Sequence, residues 1–336
     1  MCEDGGLVAD KFPFAKYFDE INILAALQFE PGARPFFGRP PAEPEPKDLL
    51  LYLGCNVLRT AHLAKTIIDV LKAMGFDFNT VGGPENCCGI IHHNNGEPRG
   101  ARAYSAHTLG NFARYRPSQV LMWCPSCNEH FDGVVTQQQE VAFPYRHVTA
   151  FIAEHLDRLR FVRRVERRVA LHYHTGHPQQ DMDWTSTRAI LKSIPGLEYV
   201  EIENPPALGR HCSSTYINRI GRPAWQEHVS AICGRAAAAG AGVLATAYHS
   251  CQREICHEQG RWPLEIVNWV TVLGEAMGIT YEDVFKRHRL QADPEASFQE
   301  LGQAAEAQGL DPERVREVLA KSFAPACETP PLPNPS

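Results

Sequence analysis

No run of apolar residues in this sequence is long enough to cross a bilayer. The longest weakly polar stretch, residues 236–247, has 12 residues and two glycines, where a spanning helix needs about 20. Positive charge is not in excess either, and a net charge of −6 argues against nucleic acid as a main partner. The opening Met1-Cys-Glu-Asp-Gly-Gly6 is acidic and lacks the basic and apolar regions of a secretory signal. A Gly-x-Gly-x-x-Gly nucleotide loop is missing, as is the Cys-x-x-Cys-x-x-Cys-x-x-x-Cys-Pro run of ferredoxins. These absences predict a cytoplasmic protein that spans no membrane, though it remains free to dock on a membrane complex.

Cysteine is plentiful. Eleven cysteines in a chain expected in a reducing compartment serve metal or redox chemistry and not a disulfide framework. Five of them form one arrangement: Cys55 alone, Cys87 and Cys88 adjacent, then Cys124 and Cys127 in a Cys-Pro-Ser-Cys, with gaps of 31 and 35 residues between the three stations. Each station follows a short apolar run: Leu49-Leu-Leu-Tyr-Leu-Gly54, residues 76–83, and Val120-Leu-Met-Trp123. Such runs predict buried strands, and the stretches between them are long enough for crossover helices. In a parallel sheet the carboxyl ends of the strands share one edge, which is where open α/β sheets place ligands. Gathered thiolates hold soft metals, and five exceed what a tetrahedral zinc requires. Side chains of adjacent residues diverge, so Cys87 and Cys88 can both bind only an inorganic core larger than one ion. An iron–sulfur cluster is the better reading. Gly89 and Pro125 are read as supports, one opening the backbone near the sulfurs and the other stiffening the turn.

The length, 336 residues, suggests about two domains. Residues 1–47 read as an arm: an apolar helical pattern after Pro13, then six prolines within residues 31–46. The arm either lies on the protein's own surface or orders against a partner subunit. The core then occurs twice, over residues 48–155 and 156–278. The run Val169-Ala-Leu-His-Tyr-His-Thr-Gly-His177 corresponds to the Cys55 station, Arg210-His-Cys-Ser213 to the vicinal pair, and Ala247-Tyr-His-Ser-Cys-Gln252 to the Cys-Pro-Ser-Cys, at offsets of 122, 124 and 124. The fold expected is α/β: two pseudo-repeated Rossmann-like domains with parallel sheets, the N-terminal arm, and a helical extension over residues 279–336 that ends in a proline-rich tail. Short amphipathic helices are expected over 281–290, 294–308 and 311–322. The basic run between the copies, residues 158–168, reads as a solvated helix face, with a dock for an acidic partner as the alternative.

The duplicated Cys…Cys-Cys-Gly…Cys-Pro-Ser-Cys pattern resembles the cysteine-rich CCG domain family, whose best-known member is the cysteine-rich subunit of heterodisulfide reductase. The resemblance covers roughly residues 48–278 and rests on Cys55, Cys87, Cys88, Gly89, Cys124 and Cys127. It implies an unusual non-cubane [4Fe–4S] cluster on those five cysteines, and a catalytic iron–sulfur subunit of a heterodisulfide-reductase-like complex. The implied chemistry is thiol–disulfide or sulfane-sulfur redox on a small disulfide or a sulfur carrier. Implied partners are a ferredoxin-type iron–sulfur subunit and a flavoprotein subunit, since this chain has no nucleotide loop or ferredoxin run of its own. Related domains also serve as electron-transfer subunits of glycolate- and lactate-type dehydrogenases. A zinc-stabilised scaffold is the non-enzymatic alternative.

The second copy departs from the two-cluster form. His177, His211 and Tyr248 stand in place of three cysteines, leaving Cys212 and Cys251. Two thiolates cannot hold the same cluster, so His177, His211, Cys212 and Cys251 are candidates for a zinc site, with His174 and His249 as competitors and a decayed, empty pocket as the rival reading. His92 and His93, just after the Cys-Cys-Gly, are candidate proton donors beside Cys87 and Cys88, or simply a polar turn. Cys2, Cys233, Cys256 and Cys327 match no station of the repeat.

Overall fold

A computed structural model describes residues 12–30, 32–33, 36, 38–204, 212 and 214–325. The apolar runs become strands buried on both faces, with Leu50, Leu51, Tyr52 and Leu53 fully inaccessible. That is the pattern of a parallel sheet covered by helices. In the first half, β1 (Leu49–Gly54), β2 (Phe78–Gly82), β3 (Gln119–Met122) and β4 (Tyr145–His147) lie in the order β2-β1-β3-β4, all parallel. The second half repeats it with β5 (Arg168–His172), β6 (Glu198–Val200), β7 (Val243–Thr246) and β8 (Glu265–Asn268), in the order β6-β5-β7-β8. In both sheets the chain steps from its first strand to one side and then crosses to the other. The gap above the carboxyl ends of β1 and β3, and of β5 and β7, is therefore a topological switch point.

The halves share one core in which Leu51, Leu121 and Trp123 join Leu171, Leu244 and Trp269. Their packing is reciprocal. The helix after β4 (Val148–Glu154) lies against the helix after β5 (Pro178–Ser193), and the helix after β8 (Trp269–Met277) lies against the helix after β1 (Ala61–Ala73). At the centre the Trp123 and Trp269 rings sit 6.0 Å apart. Trp269 is 1% exposed, and Trp269→Ala is expected to cost about 3–5 kcal/mol in urea unfolding. A loss below about 1 kcal/mol would show that the seam does not depend on this ring.

Residues 158–168 do not form the helix that their charge pattern predicts. Apart from the 3₁₀ turn Leu156–Arg158 the stretch is irregular until β5 begins. Three of its arginines pair within the chain: Arg164 with Glu166 at 2.8 Å, Arg167 with Glu265 and Glu275, and Arg168 with Glu198 at 3.1 Å. The arm packs on its own chain. Its helix, Phe14–Ala26, buries Ile23 and Leu24 against Phe285, Leu301, Val315 and Leu319 of the C-terminal helices, while Glu20 accepts from Lys321 at 2.7 Å. Those helices run over Val284–Gln291, Pro294–Ala307 and Pro312–Phe323, close to the sequence expectation. Most of the proline-rich tail, residues 326–336, lies outside the described residues.

Candidate metal centre

All five cysteines of the first copy are buried, and they stand where the strand order places a ligand. Cys55 follows β1 directly, Cys87 and Cys88 end the turn after β2, and Cys124 caps the Pro125–His130 helix after β3, with Cys127 in its first turn. The thiols form one continuous series of hydrogen-bond partners: Cys55 with Cys87, Cys87 with Cys88, Cys88 with Cys127, and Cys127 with Cys124. The vicinal pair thus reaches two different neighbours, Cys55 on one side and Cys127 on the other. The donor set is spread more widely than one ion can gather.

The scaffold around these thiols is specific. Tyr52 donates its hydroxyl to the Asn86 carbonyl at 2.7 Å and lies 3.8 Å from Cys127 Sγ. Thr108 donates to the Cys87 carbonyl at 2.8 Å, and Asn111 holds the Asn86 side chain at 2.8 Å. Gly89 has φ +93° and donates its N–H to Cys87 Sγ at 3.4 Å. A Cβ there would meet the Ala101 carbonyl oxygen at 2.4 Å. Gly54, at φ +71°, has the same double constraint, because a Cβ would fall 3.0 Å from Cys124 Cβ and 3.2 Å from Cys127 Sγ.

Electrostatics divide the thiols. Burial opposes ionisation of Cys88, but hydrogen bonds from Cys127, Cys87 and the Ile90 N–H outweigh it and bring its pKa down to about 6. Cys124 is also lowered, first by the Cys127 hydrogen bond and then by the N–H groups of Cys127 and Ser126, against its burial. The bond shared with Cys87, and then burial, push Cys55 up. Arg59 acts on Cys55 and Arg253 on Cys124, each favouring the thiolate. Five buried sulfurs, amide N–H groups aimed at them, two guanidiniums and a missing Cβ at Gly54 fit a polynuclear iron–sulfur core.

His92 and His93 part company. His92 is buried and stacked between Phe14, at 4.1 Å, and Tyr104, at 4.4 Å, and burial lowers its pKa. His93 is exposed, 5.3 Å from His130.

In the second half the structure gathers a different set from the one the motif alignment suggests. His172, His174, Cys212 and Cys251 are all buried, with their ligand atoms within 4.8 Å of one another. His177 is not among them; it caps the Pro178–Ser193 helix, its Nδ1 accepting from Gln179 N–H at 3.2 Å. His211 lies outside the described residues. His249 is buried beside Cys251 in the sequence but does not belong to the group of four. Strand register explains the shift. Leu49 pairs with Gln119 and Val169 with Val243, so the first strands correspond at an offset of 120 while the third strands keep 124. His172 therefore matches Tyr52, and His174 matches Gly54. The alternation His-Tyr-His at a strand end, which puts both imidazoles on one face, was the available signal. Tyr248, in the place of Cys124, donates its hydroxyl to Asp183 at 2.9 Å. Cys233 and Cys256 are buried in the hydrophobic clusters, and Cys2 and Cys327 lie outside the described residues.

The two rims are joined. Asn128 donates to Gln179 at 3.2 Å, Gln179 to Asp183 at 2.7 Å, and across the seam Arg253 donates to Asn56 at 2.8 Å. A cavity of about 870 Å³ opens beside Asn56, lined by Lys16, Arg59, Arg222, Arg253, Arg289 and Lys321 against only two carboxylates, Glu20 and Glu254.

Residues 49–132 match the family described as a cysteine-rich domain, CCG. The chain carries a CCG domain. Similar proteins include a subunit of dihydromethanophenazine:CoB–CoM heterodisulfide reductase from Methanosarcina barkeri, 22% identical over 69% of this chain and 60% of the relative. The same subunit from Methanosarcina mazei is 23% identical over 69% and 59%. A probable membrane-anchored ferredoxin from Chromohalobacter salexigens is 24% identical over 51% of this chain and 27% of its own length. The chain spans about three-fifths of the heterodisulfide reductase relatives it matches. Among solved structures, an aspartate racemase homologue from Pyrococcus horikoshii shares 13% identity over 69% of this chain and 99% of that one, at a TM-score of 0.31. Among the described residues no helix is long and apolar enough to cross a membrane.

Proposed function

We propose that the protein is an iron–sulfur redox subunit of a heterodisulfide-reductase-like complex, interconverting a disulfide or sulfane sulfur and thiols at one [4Fe–4S] cluster, of the non-cubane kind, held by Cys55, Cys87, Cys88, Cys124 and Cys127. The observation that carries this reading is the unbroken chain of five buried thiols at the switch point of the first sheet. Bound there, the cluster supplies one-electron redox and an iron able to take a sulfur ligand. The overall change, one disulfide with two electrons and two protons giving two thiols, sets what the residues must do. His92 stacks on Tyr104, whose phenol senses the charge of Cys87; because burial lowers its pKa, it would pass on a proton taken up during turnover and would not hold one at rest. The cationic cavity beside Asn56 suits a substrate with carboxylate, phosphate or sulfonate groups. Electrons come from outside the chain, which fits a cytoplasmic assembly with a ferredoxin-type subunit and a flavoprotein.

Anaerobic purification should give a brown protein with about four irons and four sulfides per chain. Its EPR signal should change on adding thiol, and its reduced form should be reoxidised faster by anionic than by neutral disulfides. Iron with no thiol response would instead favour a pure electron carrier, and zinc alone would end the redox reading. Arg253→Gln removes a cation that acts on Cys124. It is expected to lower the reduction potential by tens of millivolts, the effect of about 1–2 kcal/mol of Coulomb energy in a partly screened site. An unchanged potential in redox titration would place the redox centre away from this guanidinium.

A further inference from the structure

The second half holds four donors for which the proposed redox chemistry has no use. We propose that His172, His174, Cys212 and Cys251 bind a single zinc ion in a tetrahedral site with no open position.

The distances are those of one coordination shell. His172 Nε2 lies 3.4 Å from Cys212 Sγ, and His174 Nε2 lies 3.1 Å from Cys251 Sγ and 3.6 Å from Cys212 Sγ. Imidazole and thiolate ligands on one tetrahedral zinc stand about 3.6 Å apart, given the usual bond lengths to nitrogen and sulfur. A two-iron centre with both imidazoles on one iron and both thiolates on the other would keep nitrogens and sulfurs well apart. Here each imidazole touches a thiol, so the set closes around one ion.

The surroundings fix the chemistry of the ligands. Asn204 donates its amide to the Leu171 carbonyl at 3.0 Å, and its Oδ1 accepts from the Tyr173 N–H at 3.1 Å. The amide orientation is thereby settled, and Oδ1 is an acceptor toward His172 Nδ1, 3.1 Å away. Nδ1 must carry the proton, which leaves the Nε2 lone pair facing Cys212. This is the outer-shell arrangement that prepares a histidine for a metal. His174 comes from the position that Gly54 holds in the first half. Where the first half has no side chain, this residue brings an imidazole, which supplies the fourth donor. Two borderline nitrogens, two thiolates and tetrahedral closure suit zinc, which needs no redox partner and no free site. The ion joins the end of β5, the connection after β6 and the His249–Ile255 helix after β7, which makes it a clip at the second switch point.

The test uses the full chain purified anaerobically, with metal analysis and zinc-edge X-ray absorption. About one zinc per chain with a shell of two nitrogens and two sulfurs is expected. Cys251→Ser and His174→Gln should each remove most of the zinc and leave iron and sulfide in place, while Cys88→Ser should remove iron and keep zinc. That crossed pattern separates this proposal from the redox reading, since either can fail alone. Absence of zinc, a shell of different composition, iron at these residues, or zinc that survives both substitutions would overturn it. If either variant fails to fold, the absorption spectrum of the unaltered protein still decides.

Discussion

Cys88→Ser is expected to strip the protein of iron, acid-labile sulfide and visible colour while its far-UV circular dichroism stays close to that of the parent. Cys88 is the link between the two ends of the thiol chain, touching Cys87 on one side and Cys127 on the other. It is also a thiol that its neighbours bring down to about 6, so it is ionised at neutral pH. A hydroxyl at this place is hardly ionised and is a poor partner for iron, so the remaining donors fall into two separated groups. The fold should tolerate the change, because serine is close in volume and the surrounding shell hydrogen-bonds through backbone groups. Iron content is expected to fall at least about tenfold, the scale on which losing part of a ligand set weakens metal binding. Cys233→Ser and Cys256→Ser, buried in the hydrophobic clusters and outside this series of thiols, should keep their iron. Retention of iron and sulfide in Cys88→Ser would refute the assignment of the cluster to these residues.

The second large effect concerns a residue with no functional group. Gly89→Ala places a methyl 2.4 Å from the Ala101 carbonyl at a backbone φ of +93°. The positive φ alone costs an alanine about 1 kcal/mol. The clash is with backbone and cannot be relieved by turning a side chain, so the total should reach roughly 3 kcal/mol or more. Relief requires moving either the Pro98–Tyr115 helix or the turn that carries Cys87 and Cys88, so iron loading should fall together with stability. Gly96→Ala is the control. Its φ is also positive, at +74°, but a Cβ there meets nothing within 4 Å, and about 1 kcal/mol is expected with iron retained. Paired urea titrations and iron assays compare the two. Equal penalties would mean that the Ala101 contact does not constrain the turn.

The sequence made much of this legible because the informative residues are few and their spacing is rigid. Three apolar runs predict β1, β2 and β3, and the parallel order follows from the crossover lengths; the five thiols then converge as that order requires. β4 stayed hidden because Tyr145-Arg-His147 is three residues long and without apolar alternation. The charged stretch 158–168 misleads because its arginines answer to Glu166, Glu265 and Glu275 and not to helical neighbours. The second cluster of donors was half visible. Cys212 and Cys251 follow from the repeat, but the offset of 122 read at the first station, where strand pairing gives 120, puts His177 in the place of Cys55 and passes over His174. Only the pairing of Val169 with Val243 corrects it, and strand pairing is not written in local sequence.

His174, two residues past the end of β5, corresponds to Gly54 at the end of β1 when the strand register is continued. On the proposed assignments, that position, together with the thiols missing from the second half, separates the kinds of inorganic guest the two halves admit. A bare backbone leaves room for a many-atom core that handles electrons. An imidazole closes the room and contributes to a small, inert anchor. Together with the thiols missing beside it, a substitution there sets two copies of one plan to different trades.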